Sequence, residues 1–328
     1  MTAATAPAAD AAPKKEKKKR DPRNGLRTSA TLATVFTFFG HYWFGFEQAI
    51  AQVFVALITG YVTAILFETV DAKANNRPMA YLGGGPLKFI DFLLSAHMTS
   101  ITLSFLVYTN HRLWMMALAI TLAIGSKFLF RVKVRGRYRH FMNPSNFAIA
   151  VVFYVWQWTG TLPWGMTAHL HGVEDWVLPS FIALLGLRLN LLYTSRIRVI
   201  LAWIAGFVLQ AIIRSFIWGS PLQAELAPAT GVAYILFMFY MITDPMTSPH
   251  DKRNQIIFGG AIGLAYGLVL QLHIQFSIFY AVTLITAIRG VILWIESLRE
   301  GTTQPAPVGV GAQAPTPALA RTAVQREG

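Results

Sequence analysis

The sequence predicts an all-α, polytopic integral membrane protein of about ten transmembrane helices, and three observations carry that prediction. Hydrophobic residues make up 54% of the 328 and charged residues only 13%, against about a quarter charged in a soluble globule. Apolar runs recur at 29–46, 49–68, 87–108, 113–130, 145–160, 177–191, 199–217, 228–243, 256–270 and 273–291. Each comes near the roughly 20 residues that cross a hydrocarbon core. The basic residues between the runs alternate strongly from one side to the other.

Residues 1–27 are Ala/Pro-rich and then lysine-rich ("KKEKKKR", Lys14 to Arg20), with no apolar core and no small-residue cleavage site. They read as a disordered cytoplasmic tail rather than a signal peptide. Residues 28–299 form the transmembrane domain. The remaining 300–328 lack periodicity and are rich in Pro, Ala, Thr, Gly and Gln, a composition that buries too little surface to offset ordering. Within the domain the first two runs are joined only by "EQ", and several runs of 15 to 18 residues are short enough to be broken or re-entrant.

With the N-terminal tail inside, the inside connections hold Lys73, Arg77, Lys88, Arg131, Lys133, Arg135, Arg137, Arg139, Arg188, Arg196, Arg198, Lys252 and Arg253, whereas the outside connections hold only Arg112. That asymmetry predicts both termini in the cytoplasm of a bacterial-type inner membrane and an even number of crossings. Ten crossings divide into five and five, and an odd half allows the second half to lie inverted relative to the first. No internal sequence repeat accompanies that parity.

The inventory excludes several chemistries. There is no cysteine, so disulfides, thiolate zinc sites, iron–sulfur ligation and cysteine nucleophiles are ruled out. The net charge of +13 lies in blocks between apolar runs, the pattern of topology signals and not of a nucleic-acid-binding face.

Two polar stretches interrupt the apolar frame. In "RYRHFMNPSNFAI", Asn143 or Ser145 can cap the fifth span, Pro144 fits its first turn, and Asn146 follows. The free N–H groups of such a turn can hold an anion, with Arg139 and His140 beside them. A capped helix start with ordinary basic flanks explains the same residues. In "FYMITDPMTSPHDKR", Thr243, Asp244, Pro245, Thr247 and Ser248 end the eighth span on the same side. Asp244 before Pro245 is a common helix stop, yet a carboxylate and three hydroxyls at membrane level need partners or a cavity. Arg139, Lys252, Arg253 or a ring N–H of a ligand are the partners expected for Asp244.

"FMNPSNFAI" together with "FYMITDPMTSP" resembles the paired signature of the RnfD/NqrB-like membrane subunits, which belong to the Rnf electron-transport complex and the sodium-pumping NADH:quinone reductase. From "FGHYWFGFEQ" through "RPMAYLGGGPLKFIDFLLSAHMTS" to the second stretch, about residues 36 to 295, the body is more similar to the Rnf-D-like membrane proteins of enediyne antibiotic gene clusters. The resemblance implies a ten-helix flavoprotein that carries electrons within a multi-subunit complex. Its cofactor-binding candidates are Asn143, Pro144, Ser145 and Asn146 with Thr243, Asp244, Pro245 and Thr247, to which the anion-holding helix start adds Arg139 and His140. The Ser-Gly-Ala-Thr motif that esterifies FMN in the electron-transport relatives is missing: "TSAT" at Thr28 to Thr31 is misplaced and "PATG" at Pro228 to Gly231 lacks the order. The flavin expected, FMN or riboflavin, is therefore noncovalent.

Other residues have plainer readings. His169, His171, Glu174 and Asp175 in "HLHGVED" are best read as a solvated loop, so no metal site is expected. His41, His97, His111 and His273 form no haem-holding pair. Asp91, His97 and Arg214 are the ionisable residues deepest in spans and mark functional positions by default, with Arg214 able to snorkel. "GGGP" at Gly83 to Pro86 reads as a loop entering the third span. Two functional classes follow: a flavin-binding electron-transfer subunit, with the bilayer and other redox subunits as partners, or a transporter or resistance protein for a small molecule, ion or natural product.

Overall fold

The structure, a computed structural model, describes residues 22–46, 48–134, 137–161, 166–167 and 170–303. The tail expectations for 1–21 and 304–328, together with Arg135 and His169, lie outside these described residues.

Every expected span contains a helix: α1 (Pro22–Tyr42), α2 (Ile50–Ala74), α3 (Gly85–Leu106), α4 (Leu113–Leu129), α5 (Pro144–Val155), α6 (Glu174–Leu189), α7 (Ile197–Trp218), α8 (Leu222–Leu226), α9 (Val232–Leu236), α10 (Lys252–Gln271) and α11 (Ser277–Thr303). The short α8 and α9 flank the start of the eighth expected span, whose first residues belong to a 3₁₀ turn, Ala227–Thr230. Among the described residues six helices are long and apolar enough to cross a membrane, or seven if the bent pair Leu222–Thr230 and Val232–Met241, which turns by 65°, counts as one. α4 and α5 are apolar but shorter, and α1 begins at Pro22, ahead of the boundary expected at 28.

The helices show why an apolar surface suits lipid. Phe54, Ile58, Val62, Leu66 and Val70 lie every fourth residue along α2 and are all exposed, a stripe on one side of a 3.6-residue helix. The opposite side buries Gln52, Ala56, Gly60, Ala64 and Glu68 against the bundle. Small residues there let neighbouring helices approach.

Three pairings recur in the two halves, although the extensive α2–α3 contact has no counterpart of similar extent in the second. α1 packs on α3, α2 on α4 and α4 on α5; α6 packs on α9, α7 on α10 and α10 on α11. The α7–α10 seam is the tightest. A Cβ added at Gly263 would lie 2.7 Å from the Phe207 backbone nitrogen, and one at Gly206 would lie 2.6 Å from the Gly260 carbonyl oxygen. Gly259, Gly263 and Gly267, spaced four apart in "GGAIGLAYG", form a small-residue repeat to which hydropathy alone is blind.

Strands are few. β1 (Val107–Tyr108) pairs antiparallel with β4 (Gly160–Thr161) at one end of the bundle. β2 (Arg131–Val134) pairs with β3 (Arg137–His140) at the other, with Val132 opposite Arg139. The basic connection expected as a loop is therefore a hairpin, stabilised by a ladder and by alternation of Val132, buried, with exposed Lys133.

Two π-helical turns face each other: Asn190–Thr194, which continues α6, and Phe237–Met241, which continues α9. Asn190, fully buried, joins them by donating to Gly186 O (2.9 Å) and Phe239 O (2.8 Å). Widened turns free carbonyls that a side-chain amide can satisfy.

Candidate functional site

The two polar stretches meet at the hairpin end of the bundle. Asn143 caps α5, its side-chain oxygen accepting from the Asn146 backbone N–H at 3.1 Å, and Pro144 occupies the first turn. The same Asn143 amide donates to Met241 O at 3.1 Å, closing the π turn three residues before Asp244. Pro144, Ser145 and Asn146 are buried. Both polar atoms of the Asn146 side chain are enclosed, and neither has a partner among the described residues.

Thr243 donates back to Phe239 O at 2.6 Å. The Asp244 carboxylate turns into its own loop, accepting from Met246 N–H (3.1 Å) and from the Thr247 hydroxyl (3.0 Å). This Asx-type turn is the helix stop. The hydrogen bonds of Asp244 thus go to Met246 and Thr247 rather than to Arg139, Lys252 or Arg253. Pro245 and Met246 are exposed at the turn, while Thr247 and Ser248 are buried. Asp251 caps α10 by accepting from Arg253 N–H (3.0 Å) and Asn254 N–H (3.1 Å).

Cations surround this loop. Arg289 of α11 donates to Thr247 O at 2.9 Å. Arg196, buried just before α7, donates through Nε to the Ser248 hydroxyl (2.8 Å) and lies with Nη2 2.8 Å from His250 Nδ1. Arg139 of β3 lies 2.8 Å from the other ring nitrogen of His250. A neutral imidazole accepts at one nitrogen only, so one of the two guanidinium contacts cannot be a hydrogen bond. Three arginines and His250 therefore crowd a segment, 243–250, whose only carboxylate is Asp244.

The hairpin end is completed by His140 and Lys127. Burial pushes the His140 imidazole below its ordinary value; Asp244 pulls it up, and Lys127 and Arg139 push it down. Burial also works against the Arg196 charge, with Asp244 restoring it and Arg139 opposing it. Lys127 itself donates to Ser95 O (3.1 Å) and the Thr99 hydroxyl (2.7 Å) on α3. The net result is an excess of positive charge at partly buried positions, where attraction for an anion is screened less than in water.

Arg139, His140, Asn143, Pro144, Ser145, Asn146, Thr243, Asp244, Pro245 and Thr247 thus lie in one neighbourhood. Sequence reasoning missed Lys127, Arg196, His250 and Arg289 as members. Arg196 reads in the sequence only as a topology charge, whereas Arg289 sits within an apolar span, a signal that could have singled it out. The other deep ionisable residues are partnered elsewhere: Asp91 accepts from Arg27 Nε and Nη2 at 2.9 and 2.8 Å, and Arg214 pairs with Glu225. His97 lies between Thr34 (2.8 Å) and Tyr61 (2.6 Å). Thr34 already gives its proton to Ala30 O, so His97 Nε2–H donates to Thr34, and Nδ1 accepts from Tyr61.

No family model matches this chain, and no curated protein matches it.

Proposed function

We propose that the chain is a membrane-embedded electron-transfer subunit that binds flavin noncovalently at the basic end of its bundle, in the manner implied by its resemblance to the RnfD-like membrane proteins. Its setting is a multi-subunit oxidoreductase of the inner membrane, with natural-product biosynthesis of the enediyne type as the specific role. The observation that carries the reading is the convergence of Arg139, Arg196 and Arg289 on segment 243–250. A phosphate dianion relieves that charge excess, so FMN is favoured over riboflavin. The unpartnered Asn146 amide offers both a donor and an acceptor, the complement of a lactam edge of the flavin ring.

When bound, flavin supplies one- and two-electron carriage. The chain's own part is to neutralise the phosphate with guanidinium groups, orient the ring through buried amides and keep the site at positive potential. The topology proposed with it has ten crossings and both termini cytoplasmic, in two inverted five-helix halves. The repeated packing of first helix on third, second on fourth and fourth on fifth supports that division.

The test is the visible spectrum of the detergent-purified protein, followed by acid precipitation and titration of the stripped protein with FMN and riboflavin. A flavin released by acid, with FMN bound more tightly than riboflavin, is the expected outcome. A colourless protein whose spectrum FMN does not change overturns the reading. A fluorescent band surviving denaturing electrophoresis overturns its noncovalent part.

One observation favours the second reading, a transporter. The pair Leu222–Thr230 and Val232–Met241, bent by 65°, is the kind of discontinuous span that lines substrate paths in transport folds.

A further inference from the structure

A partly open pocket lies at the opposite end of the bundle, away from the basic cluster. α5 is 12 residues long, about 18 Å at 1.5 Å per residue. The stretch Val232–Met241 is shorter still. Both start or end at the hairpin end and stop short of the ~30 Å hydrocarbon thickness, so loops fill the other half. Between β4, α9, α10 and the start of α11 is a pocket of about 250 Å³, lined by Thr161, Ala233, Tyr234, Tyr266, Leu270 and Phe276 among others.

Its wall is mostly apolar; besides Gln275 and Ser277, whose hydroxyl donates to Ile274 O, it holds two hydroxyls with a proton left to place. Tyr234 donates to the Tyr266 oxygen at 2.6 Å, so the Tyr266 proton must go elsewhere, and it meets no acceptor among the described residues. Thr161, held in place by pairing of β4 with Val107 and Tyr108, has a buried hydroxyl with no partner among the described residues. A buried hydroxyl without a partner is costly. Two hydroxyls that each have a proton to give, on residues lining one mostly apolar space, favour an acceptor over a cation. The turn between α10 and α11 that borders the cavity is also strained: His273 and Phe276 have φ of +57° and +56°, a region that bulky side chains rarely adopt. That conformation places Phe276 against Phe153, with ring centroids 4.6 Å apart.

We propose that this cavity binds a small uncharged ring compound carrying a carbonyl-type hydrogen-bond acceptor, which receives the Thr161 and Tyr266 protons while its ring lies against Leu270 and Phe276. The site is independent of the flavin reading, because none of these residues belongs to the basic cluster.

A matched pair of probes tests it on the detergent-purified full chain: 1-tetralone, a two-ring ketone, and tetralin, the same rings without the oxygen. Thermal unfolding titrated with each probe reads the affinity. The ketone should stabilise the protein at lower concentration than the hydrocarbon. Thr161→Val, which removes a hydroxyl that has no protein partner and keeps the side-chain shape, should weaken 1-tetralone by about two- to tenfold and leave tetralin unchanged. Tyr266→Phe should act in the same direction. Equal affinity for the two probes would make the cavity an apolar slot for an acyl chain and overturn the proposal. So would the absence of any shift with 1-tetralone, or undiminished 1-tetralone binding by Thr161→Val.

Discussion

At one end of the bundle Gln48 and Gln52 tie the start of α2 to the connection between α3 and α4; at the other, Arg196 ties the start of α7 to the connection between α9 and α10. Gln48 donates to Val107 O (3.1 Å) and to Gln52 Oε1 (3.0 Å), Thr109 also donates to Gln52, and Gln52 donates to Asn110 O. Arg196 reaches Ser248 and His250 in the corresponding way. The mechanical task is the same, to fasten a helix start to a distant loop through buried side chains. The chemistry differs. The glutamine junction is neutral and directs its donors to protein oxygens, while the arginine junction holds a charge that two further arginines increase. A charged fastening in a partly buried place is a costly way to build a joint alone, and the anion proposed for the second junction would offset that cost.

The largest expected effect breaks the comparison at the helix seams. Gly263→Ala drives a methyl group into backbone, 2.8 Å from Trp203 O, and should cost about 2–3 kcal/mol or more, since main-chain atoms cannot rotate away. At the α2–α4 seam the methyl group of Gly125→Ala meets the Phe67 ring at 3.2 Å, which can yield, and should cost less than about 1 kcal/mol. Unfolding of the two variants in mixed detergent measures both. Equal losses would mean that the two seams are equally tight.

Next comes Arg196→Met against Gln52→Met. The first should weaken FMN by roughly ten- to a hundredfold, the worth of a charge-assisted hydrogen bond, whereas the second should lower stability and leave FMN affinity alone. Titration at equal protein recovery separates them.

Asp244→Asn has a smaller effect and an informative sign. An asparagine oxygen can still accept from Met246 N–H, so the turn should persist. Loss of the negative charge should tighten FMN by about two- to fivefold, the range of a screened charge pair, with the gain shrinking as salt rises. Weaker binding would instead place the carboxylate on the ligand.

The smallest effect is pH dependence through His140. Its pKa is held low in the folded protein, chiefly by burial, so the unfolded chain takes up the proton more readily. Its contribution to stability is full above about pH 6.5, the ordinary histidine value, and is lost as pH falls through the interval down to the folded pKa. A bound anion favours the protonated ring, while the FMN phosphate itself takes up a proton at about pH 6, so as pH falls through the same interval the wild-type protein should retain more FMN affinity than His140→Gln.

Membrane class and helix positions were legible because bilayer length and apolarity act residue by residue, and each of the ten expected spans contains a helix. The cap at Asn143 was legible too, since an Asn-Pro pair at a helix start is a local pattern. The β2–β3 hairpin was not, because five basic residues in alternation outweighed the short apolar register of Val132 and Val134. Nor was Asp244's partner: charge suggested a salt bridge, and a short turn competed successfully because its donors are close by in the chain.

By itself the sequence determined which segments are apolar helices, where their polar ends lie and that thiol chemistry is absent, all properties of single residues or short windows. Only the tertiary structure decided that Lys127, Arg139, Arg196, His250 and Arg289 gather at one end of the bundle, and that Thr161 and Tyr266 line one space between β4, α9, α10 and α11. Those groups are far apart along the chain, and their meeting depends on helix crossings and on the glycine seam between α7 and α10, which no local pattern of charge or hydropathy encodes.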